Sequence, residues 1–499
     1  MNTKDKENQE NFQKAIKWAT EKFYELHEHP ELSNKEFWTA NYIIGVLKGL
    51  GIEAERVGKT GVVGLFRCGK RNTKTLMLRA DMDAAPFGEN AMHICGHDAH
   101  MAMILGVAKV LTETPKLLNC NIKFVFQPAE EIARGAKQMI KAGVLENVDA
   151  AFMPHVWPEL TAGSVGTKEG IFWSSYTKLK AKFQSKEEGA QSKKENVILA
   201  SSALIEQLNE IKDGNFALII IGLKHEGKRN VFGNLLKVKV YSEDNHTAEP
   251  EKQTISPVLL AASKIVTELK EIFTACYIQQ CDIKNKNAVS EHLRGYLSLN
   301  KMEVVGAIET SAQLEEIRGK IKKMISNEVK GVMCNLKSQK ESMSIKTPSS
   351  CKISGMFRTH DVELSENINK KLTTIVKDIE RQYNVAIDLN VETAVPLIYN
   401  DPGLTKIFND AARKRGCVVS DNESLKWAGE DFAWYVKERI PAVLALIGCG
   451  DGKTLIPLHA RGFHDEKVAE HAIPTGMNAI LAFTKNYSRV LAKKPRLEE

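Results

Sequence analysis

The run Thr75-Leu-Met-Leu-Arg-Ala-Asp-Met-Asp-Ala84 sets the architecture of this chain. Thr75 to Arg79 is an apolar stretch of strand length, and two carboxylates, Asp81 and Asp83, follow where the strand stops. Gly61–Arg67, Ile122–Gln127 and Asp149–Met153 are runs of the same kind. Between and before them, Glu10–His27, Lys35–Leu50, Met101–Leu111 and Ala133–Ala142 place apolar residues at helical spacing. Such alternation predicts an α/β fold, with a mixed, mainly parallel central sheet flanked by helices. The pattern returns near the C-terminus as a helix around Pro402–Arg415, a strand at Ala442–Ile447 and a last helix around Ile473–Leu491.

The middle of the chain reads differently. From Tyr176 to Ala394 it is rich in Lys and Glu, and it repeats itself. Leu179-Lys-Ala-Lys-Phe-Gln-Ser185 is echoed by Leu236-Lys-Val-Lys-Val-Tyr-Ser242, and Ala200–Ile211 by Ala261–Ile272 in the same order. A weaker pair is Leu293-Arg-Gly-Tyr-Leu297 with a helix at Gln313–Ile325, against Ile353-Ser-Gly-Met-Phe357 with one at Leu364–Gln382. These echoes predict an inserted α+β region of two ferredoxin-like βαββαβ units over residues 176–395. The main domain then comes in two segments, 1–175 and 396–499.

Composition narrows the class of protein. The 499 residues are 43% hydrophobic and 26% charged, ample for a buried core. Lys plus Arg at 69 against Asp plus Glu at 62 leaves +7, too mild over this length to argue for nucleic acid or an anionic membrane. Apolar stretches such as Phe216–Leu223 fall far short of the ~20 residues of a membrane span. The opening MNTKDKENQENFQ has no apolar core of a signal peptide, and nine cysteines without a CxxC pair suit a reducing cytosol. A cytoplasmic enzyme is the expectation.

The densest chemistry lies in Met92-His-Ile-Cys-Gly-His-Asp-Ala-His100, with one thiol, three imidazoles and a carboxylate just before a helix. Thiolate and imidazole are preferred ligands of zinc-like ions, although Asp98 can also be read as a helix cap. In open α/β sheets, function gathers beyond the carboxyl ends of the strands. There stand Asp81 and Asp83, Glu130 and Glu131, and His155. Adjacent residues on a regular strand point to opposite faces, but at a strand end one of two neighbouring carboxylates can bind a cation while the other takes a proton. His459 and His464 are further candidates, and spacing alone chooses neither between them nor among His93, His97 and His100. Two decoys fall away. Gly448-Cys-Gly-Asp-Gly-Lys-Thr454 misses GxxxxGK[ST] by one residue, and no GxSxG elbow occurs.

These motifs, in this order, resemble those of the aminoacylase, hippurate hydrolase and indole-acetyl-amino-acid hydrolase family of dinuclear metallopeptidases. The matching residues are Glu25-Leu-His-Glu-His-Pro-Glu-Leu32, Leu78-Arg-Ala-Asp-Met-Asp-Ala84, Met92–Asp98, Phe126-Gln-Pro-Ala-Glu-Glu131, His155-Val, Gly429-Glu-Asp-Phe432 and Leu458-His459. The resemblance implies a zinc-peptidase catalytic domain in which Cys95, His97, Glu131, His155 and His459 hold two divalent ions, zinc or manganese first and cobalt after them. It implies Glu130 as general base and Asp83 as the residue that orients a ligand. The reaction implied is hydrolysis of the amide bond of an N-acyl amino acid or small peptide.

Relatives of that kind carry a lid inserted in the catalytic domain, and many pair through it as homodimers, so that a lid histidine completes the partner subunit's site. Here the insertion is about twice as long, and its two halves keep complementary pieces. His246-Thr-Ala-Glu-Pro250 preserves the lid histidine that the first half has lost at Glu187–Gln191. The first half instead keeps Gly227-Lys-Arg-Asn230-Val231, with Asn230 resembling a substrate-binding position, against a poorer Asn287-Ala-Val289. Arg358 ends Gly355-Met-Phe-Arg358 and is the expected anchor for a substrate carboxylate. The expectation is a monomer that imitates a dimer, with a homodimer as the alternative. A dipeptidase or carboxypeptidase would use the same machinery, and a non-catalytic binding protein is the rival from another class. Such a protein should have lost the base or a ligand, and this chain keeps all six.

Overall fold

The computed structural model describes residues 3–68, 73–115, 118–186, 197–210, 216–242, 263–264, 275–280, 301–308, six helical positions between 317 and 324, and 332–493. In chain order the first elements are α1 (Thr3–His27), α2 (Phe37–Gly49), β1 (Glu53–Val57), β2 (Gly61–Phe66), β3 (Thr75–Asp81), β4 (Ala85–Phe87), β5 (Asn90–Met92) and α3 (His97–Glu113). Next come β6 (Asn121–Gln127), α4 (Gly135–Lys141), β7 (Ala150–Thr161), β8 (Ser164–Gly166) and β9 (Gly170–Trp173). The middle holds β10 (Ser175–Ser185), α5 (Val197–Glu210), β11 (Phe216–Ser242), β12 (Ala275–Gln280), β13 (Lys301–Ile308), β14 (Val332–Thr359), α6 (Val362–Tyr383) and β15 (Val385–Val395). The chain closes with β16 (Ile398–Asn400), α7 (Pro402–Lys414), β17 (Val418–Ser420), α8 (Ala433–Lys437), β18 (Ala442–Gly450), α9 (Arg461–Asp465) and α10 (Ile473–Lys493).

Two compact units result, one built mainly from Met1–Ser174 and Ala394–Glu499, the other mainly from Ser175–Lys286 and Ser290–Thr393. In the first, eight strands run in the order β1-β2-β6-β3-β7-β18-β8-β17. The centre is parallel, with β3 between β6 and β7, and β18 beside β7; β1 and β2 add an antiparallel edge. Every residue of β3 is buried, as expected of a central strand covered on both faces. The order places the ends of β3, β6 and β7 side by side, so the residues after them meet. Around that sheet α1, α3 and α10 contribute Ala19, Phe23, Leu105 and Met477 to the core. A Cβ at Gly106 would lie 2.9 Å from that of Ala19 and 2.6 Å from the Met477 sulfur, so this glycine lets α3 approach both helices closely.

The second unit is one six-stranded sheet, β12-β13-β11-β14-β10-β15. Its centre is the antiparallel pair β11 and β14, 27 and 28 residues long, matched from Phe216↔Thr359 to Ser242↔Val332. At one end β10 continues the sheet from Ser350–Thr359 of β14; at the other, β13 continues it from Asn234–Tyr241 of β11. Two separate sheets are what the sequence repeats suggest, and the difference has a plain cause. β11 and β14 run on past each half with only register shifts, at Ile220/Gly222, Glu226/Gly227, Gly227/Arg229 and Asn234/Leu235, where a turn would have ended a strand. No helix among the described residues is long and apolar enough to cross a membrane.

Candidate metal centre

The loop between β5 and α3 brings Cys95 and His97 to the strand ends. Gly96 between them has φ +83°, and a Cβ there would sit 2.4 Å from a methyl of Val156, so only glycine fits this turn. After β6, Glu130 and Glu131 occupy a turn whose flanking Ala129 and Ala133 both take left-handed backbone, φ 56° and 55°. Such conformations cost of order 1–2 kcal/mol for a residue with a Cβ and are held here by tertiary contacts. His459 is left-handed too, φ 62°, and its N–H donates to the Ile94 carbonyl at 2.6 Å, which ties the C-terminal histidine's backbone beside Cys95.

Cys95, His97 and Glu131 offer ligand atoms that all lie within 4.8 Å of one another. His155 Nε2 is 3.8 Å from the Cys95 sulfur. His97 Nδ1 donates to the Asp83 carbonyl at 2.8 Å and His155 Nδ1 to the Val156 carbonyl at 2.8 Å. A carbonyl only accepts, so both rings carry a proton on Nδ1, which leaves Nε2 as the nitrogen free to take a ligand role. His97 Nε2 and Glu131 Oε1 are buried without a hydrogen-bond partner among the described residues. Buried polar atoms in that state are rare, and ones facing a thiol and a second imidazole fit a bound cation. Burial pushes the Cys95 thiol up to about 12 and holds His155 well below its ordinary range. A cation coordinated by Cys95 would displace the thiol proton that burial otherwise retains.

Asp83 positions both sides of this group. Its carbonyl fixes His97, while its carboxylate accepts the backbone N–H of Glu130 at 3.0 Å and of Glu131 at 3.1 Å, and the Ser33 hydroxyl at 2.6 Å. The sequence pattern points to this aspartate but not to its use of the main chain. Among the other candidate histidines, His100 is occupied elsewhere. His100 donates from Nδ1 to Asp81 at 2.6 Å and accepts the Val156 N–H at 2.9 Å through Nε2, so neither nitrogen is available. His464 stacks on His27 at 4.1 Å between ring centroids. His93 is 2% exposed, with both ring nitrogens unpartnered among the described residues, and burial drives it down to about 4. Asp98 is no cap; it bonds His27 Nδ1 at 2.6 Å, and Gly96 stands at the cap position.

Behind the ligands lies a charged network that sequence reasoning missed. Fully buried Arg79 donates to Asp81 at 2.8 Å, Glu430 at 2.9 Å, Asp431 at 3.0 Å and Gln127 at 3.1 Å. Asp81 in turn lies 3.7 Å from His97 Nε2. Glu130 brings a carboxylate oxygen to within 4.8 Å of Glu430 and Asp431. Burial first, then Glu430, Asp431 and Glu131, raises Glu130 well above the usual carboxylate range. Burial likewise pushes Glu430 up to about 8, Arg79 pulling it back and Asp81 and Asp431 adding to the rise. The signal was present, since Arg79 and Gly429-Glu-Asp-Phe432 stand in the family-like motifs, but a buried ion pair between residues 351 apart leaves no periodicity to read.

The lid candidates lie in the second unit. Arg358 is in β14, opposite Tyr176 and Ala217, with its guanidinium 5.1 Å from the Tyr176 ring. Asn230 is in β11 opposite Lys346, and His246 lies outside the described residues.

Comparison with known proteins now adds to this geometry. Residues 77–486 match the model of peptidase family M20/M25/M40. N-acetyl-L-cysteine deacetylase of Bacillus subtilis is 25% identical over 435 residues, 85% of this chain and 78% of its own. Thermostable carboxypeptidase 1 of Saccharolobus solfataricus is 42% identical over 168 residues, 31% of this chain and 42% of its own. A crystal structure of a Bacillus subtilis dinuclear metal-binding peptidase of the M20 family superposes with a TM-score of 0.62 at 21% identity, covering 97% of this chain and all of that one.

Proposed function

We propose that this chain, which belongs to peptidase family M20/M25/M40 and is a metal-dependent amidohydrolase, binds two divalent cations through Cys95, His97, Glu131, His155 and His459 and hydrolyses N-acyl amino acids. One observation carries the reading: His97 and Glu131, whose Nε2 and Oε1 are buried without a hydrogen-bond partner among the described residues, converge with Cys95. A thiolate with imidazoles favours zinc, and the carboxylates admit manganese or cobalt. Such cations, when bound, lower the pKa of water toward neutrality and polarise an amide carbonyl.

Each residue then has a task. Glu130 takes the proton of the attacking water and returns it to the leaving nitrogen, its raised proton affinity suiting a base that must also act as an acid. Asp83 holds Glu130 and Glu131 by their backbone and His97 by its ring, so base and ligands share one brace. His246 is assigned to the oxyanion, Asn230 to the substrate and Arg358 to its free carboxylate. The location proposed is the cytoplasm.

Metal analysis of the purified protein should return two divalent ions per chain, and Cys95→Ala and Glu131→Ala should each lower that content. Equal metal in both variants and wild type would remove the ligand assignment. A panel of N-acetyl, N-benzoyl and dipeptide substrates should show the highest kcat/KM on an N-acyl amino acid; preference for a dipeptide would make the protein a dipeptidase.

A monomer imitating a dimer is part of the same proposal. The continuous sheet of the second unit supports it, since each end of the β11–β14 pair is flanked by two further strands. Light scattering should give the mass of one chain, and a mass of two would restore the homodimer.

A further inference from the structure

Strands β2 and β6 run antiparallel with Val62 opposite Phe126 and Phe66 opposite Ile122. β2 ends at Phe66 and β6 begins at Asn121, and extending their register two residues past the last pair sets Cys68 against Cys120. Side chains alternate faces along a strand, so Val62 and Phe66 share a face with Ile122, Phe124 and Phe126, and the extended register adds Cys68 and Cys120 to it. Burial agrees: Val62, Ile122, Phe124, Phe126 and Cys120 belong to one core, and Phe66 and Cys68 pack against it. The two chains have not parted at this point, because the Cys68 N–H donates to Asn121 Oδ1 at 3.1 Å. Directly opposed residues of an antiparallel pair have Cα atoms about 4.5–5.5 Å apart. A disulfide needs roughly 4.4–6.8 Å. The thiols differ in access, with Cys120 fully buried and Cys68 partly exposed.

We propose that Cys68 and Cys120 are a site of reversible cross-strand disulfide formation, opened to oxidation through Cys68. The oxidant is a low-molecular-weight disulfide. The Cys68 thiolate attacks one of its sulfurs, leaving a mixed disulfide on Cys68 and releasing one small thiolate. Cys120 then loses its proton and attacks the Cys68 sulfur, closing the bond and releasing the second small thiolate. Two protein thiols are oxidised, one small disulfide is reduced to two thiols, and the protons pass to water and product. Burial pushes the Cys120 thiol up to about 11, so the second step is the slower and quickens as pH rises. The bond closes a loop from residue 68 to residue 120 that contains Asp81, Asp83, Cys95 and His97. Cross-linking a loop of this size removes freedom from the unfolded chain and raises Tm.

The test is to treat the reduced full-length protein with oxidised glutathione at mildly alkaline pH, block free thiols and map tryptic peptides without reduction. Peptide 68–70 joined to peptide 117–123 is expected, with Tm raised by on the order of 5 °C and restored by reductant. Cys120→Ser should keep glutathione on Cys68, and Cys68→Ser should leave Cys120 unmodified. Glutathione persisting on Cys68 of the wild type, or Cys68 joined to any other cysteine, would overturn the proposal.

Discussion

Glu130→Gln is expected to lower kcat by about three orders of magnitude and to leave the metal content of the protein unchanged, which steady-state kinetics beside metal analysis would check. Glutamine has the same shape and keeps the backbone N–H that Asp83 accepts at 3.0 Å, so the turn and the neighbouring Glu131 stay in place. What disappears is the carboxylate oxygen proposed to accept the proton. Positioned proton transfer contributes about 10²–10⁴ in rate, which fixes the size of the loss. KM should change little, because the substitution removes nothing that holds the substrate's remote groups. A variant that turns over at the wild-type rate would take the proton-transfer role away from Glu130.

Arg79→Met has the largest effect on stability. The side chain is fully buried between Asp81, Glu430 and Asp431, none of them more than 1% exposed. Removing the guanidinium that joins them leaves three desolvated carboxylates without their shared partner. Breaking a buried pair from one side costs about 3–5 kcal/mol. Denaturant unfolding should show that loss, and Arg79→Lys should recover only part of it, since one ammonium cannot fork to three carboxylates as the guanidinium does. If Arg79→Met were as stable as the wild type, the network would be idle charge.

The main sheet was legible because it is built from local signals. Thr75–Arg79, Ile122–Gln127 and Ala442–Ile447 are apolar runs that a strand between helices requires, and the structure extends them to Asp81, Asn121 and Gly450. The residue types at the strand ends were legible too, since parallel strands bring the side chains just beyond them to one edge of the sheet. Left unreadable were the tautomer of His97, set by the Asp83 main chain, and the loss of His100 to Asp81, both contacts that carry no mark in the spacing. The second unit shows the same limit: its repeats were visible, but the union of both halves through β11 and β14 depends on strands continuing where the pattern suggested a break.

That union has an evolutionary consequence. The two ends of the second unit share the same long central pair, so neither is a detachable module. A deletion that trimmed one copy would strip neighbours from long strands and leave their backbone edges raw, an invitation to aggregate. On the proposed duplication, such a fusion would work as a ratchet: each copy could shed side chains that the other retains, while the path back to a single lid would be closed by the insolubility of the intermediate.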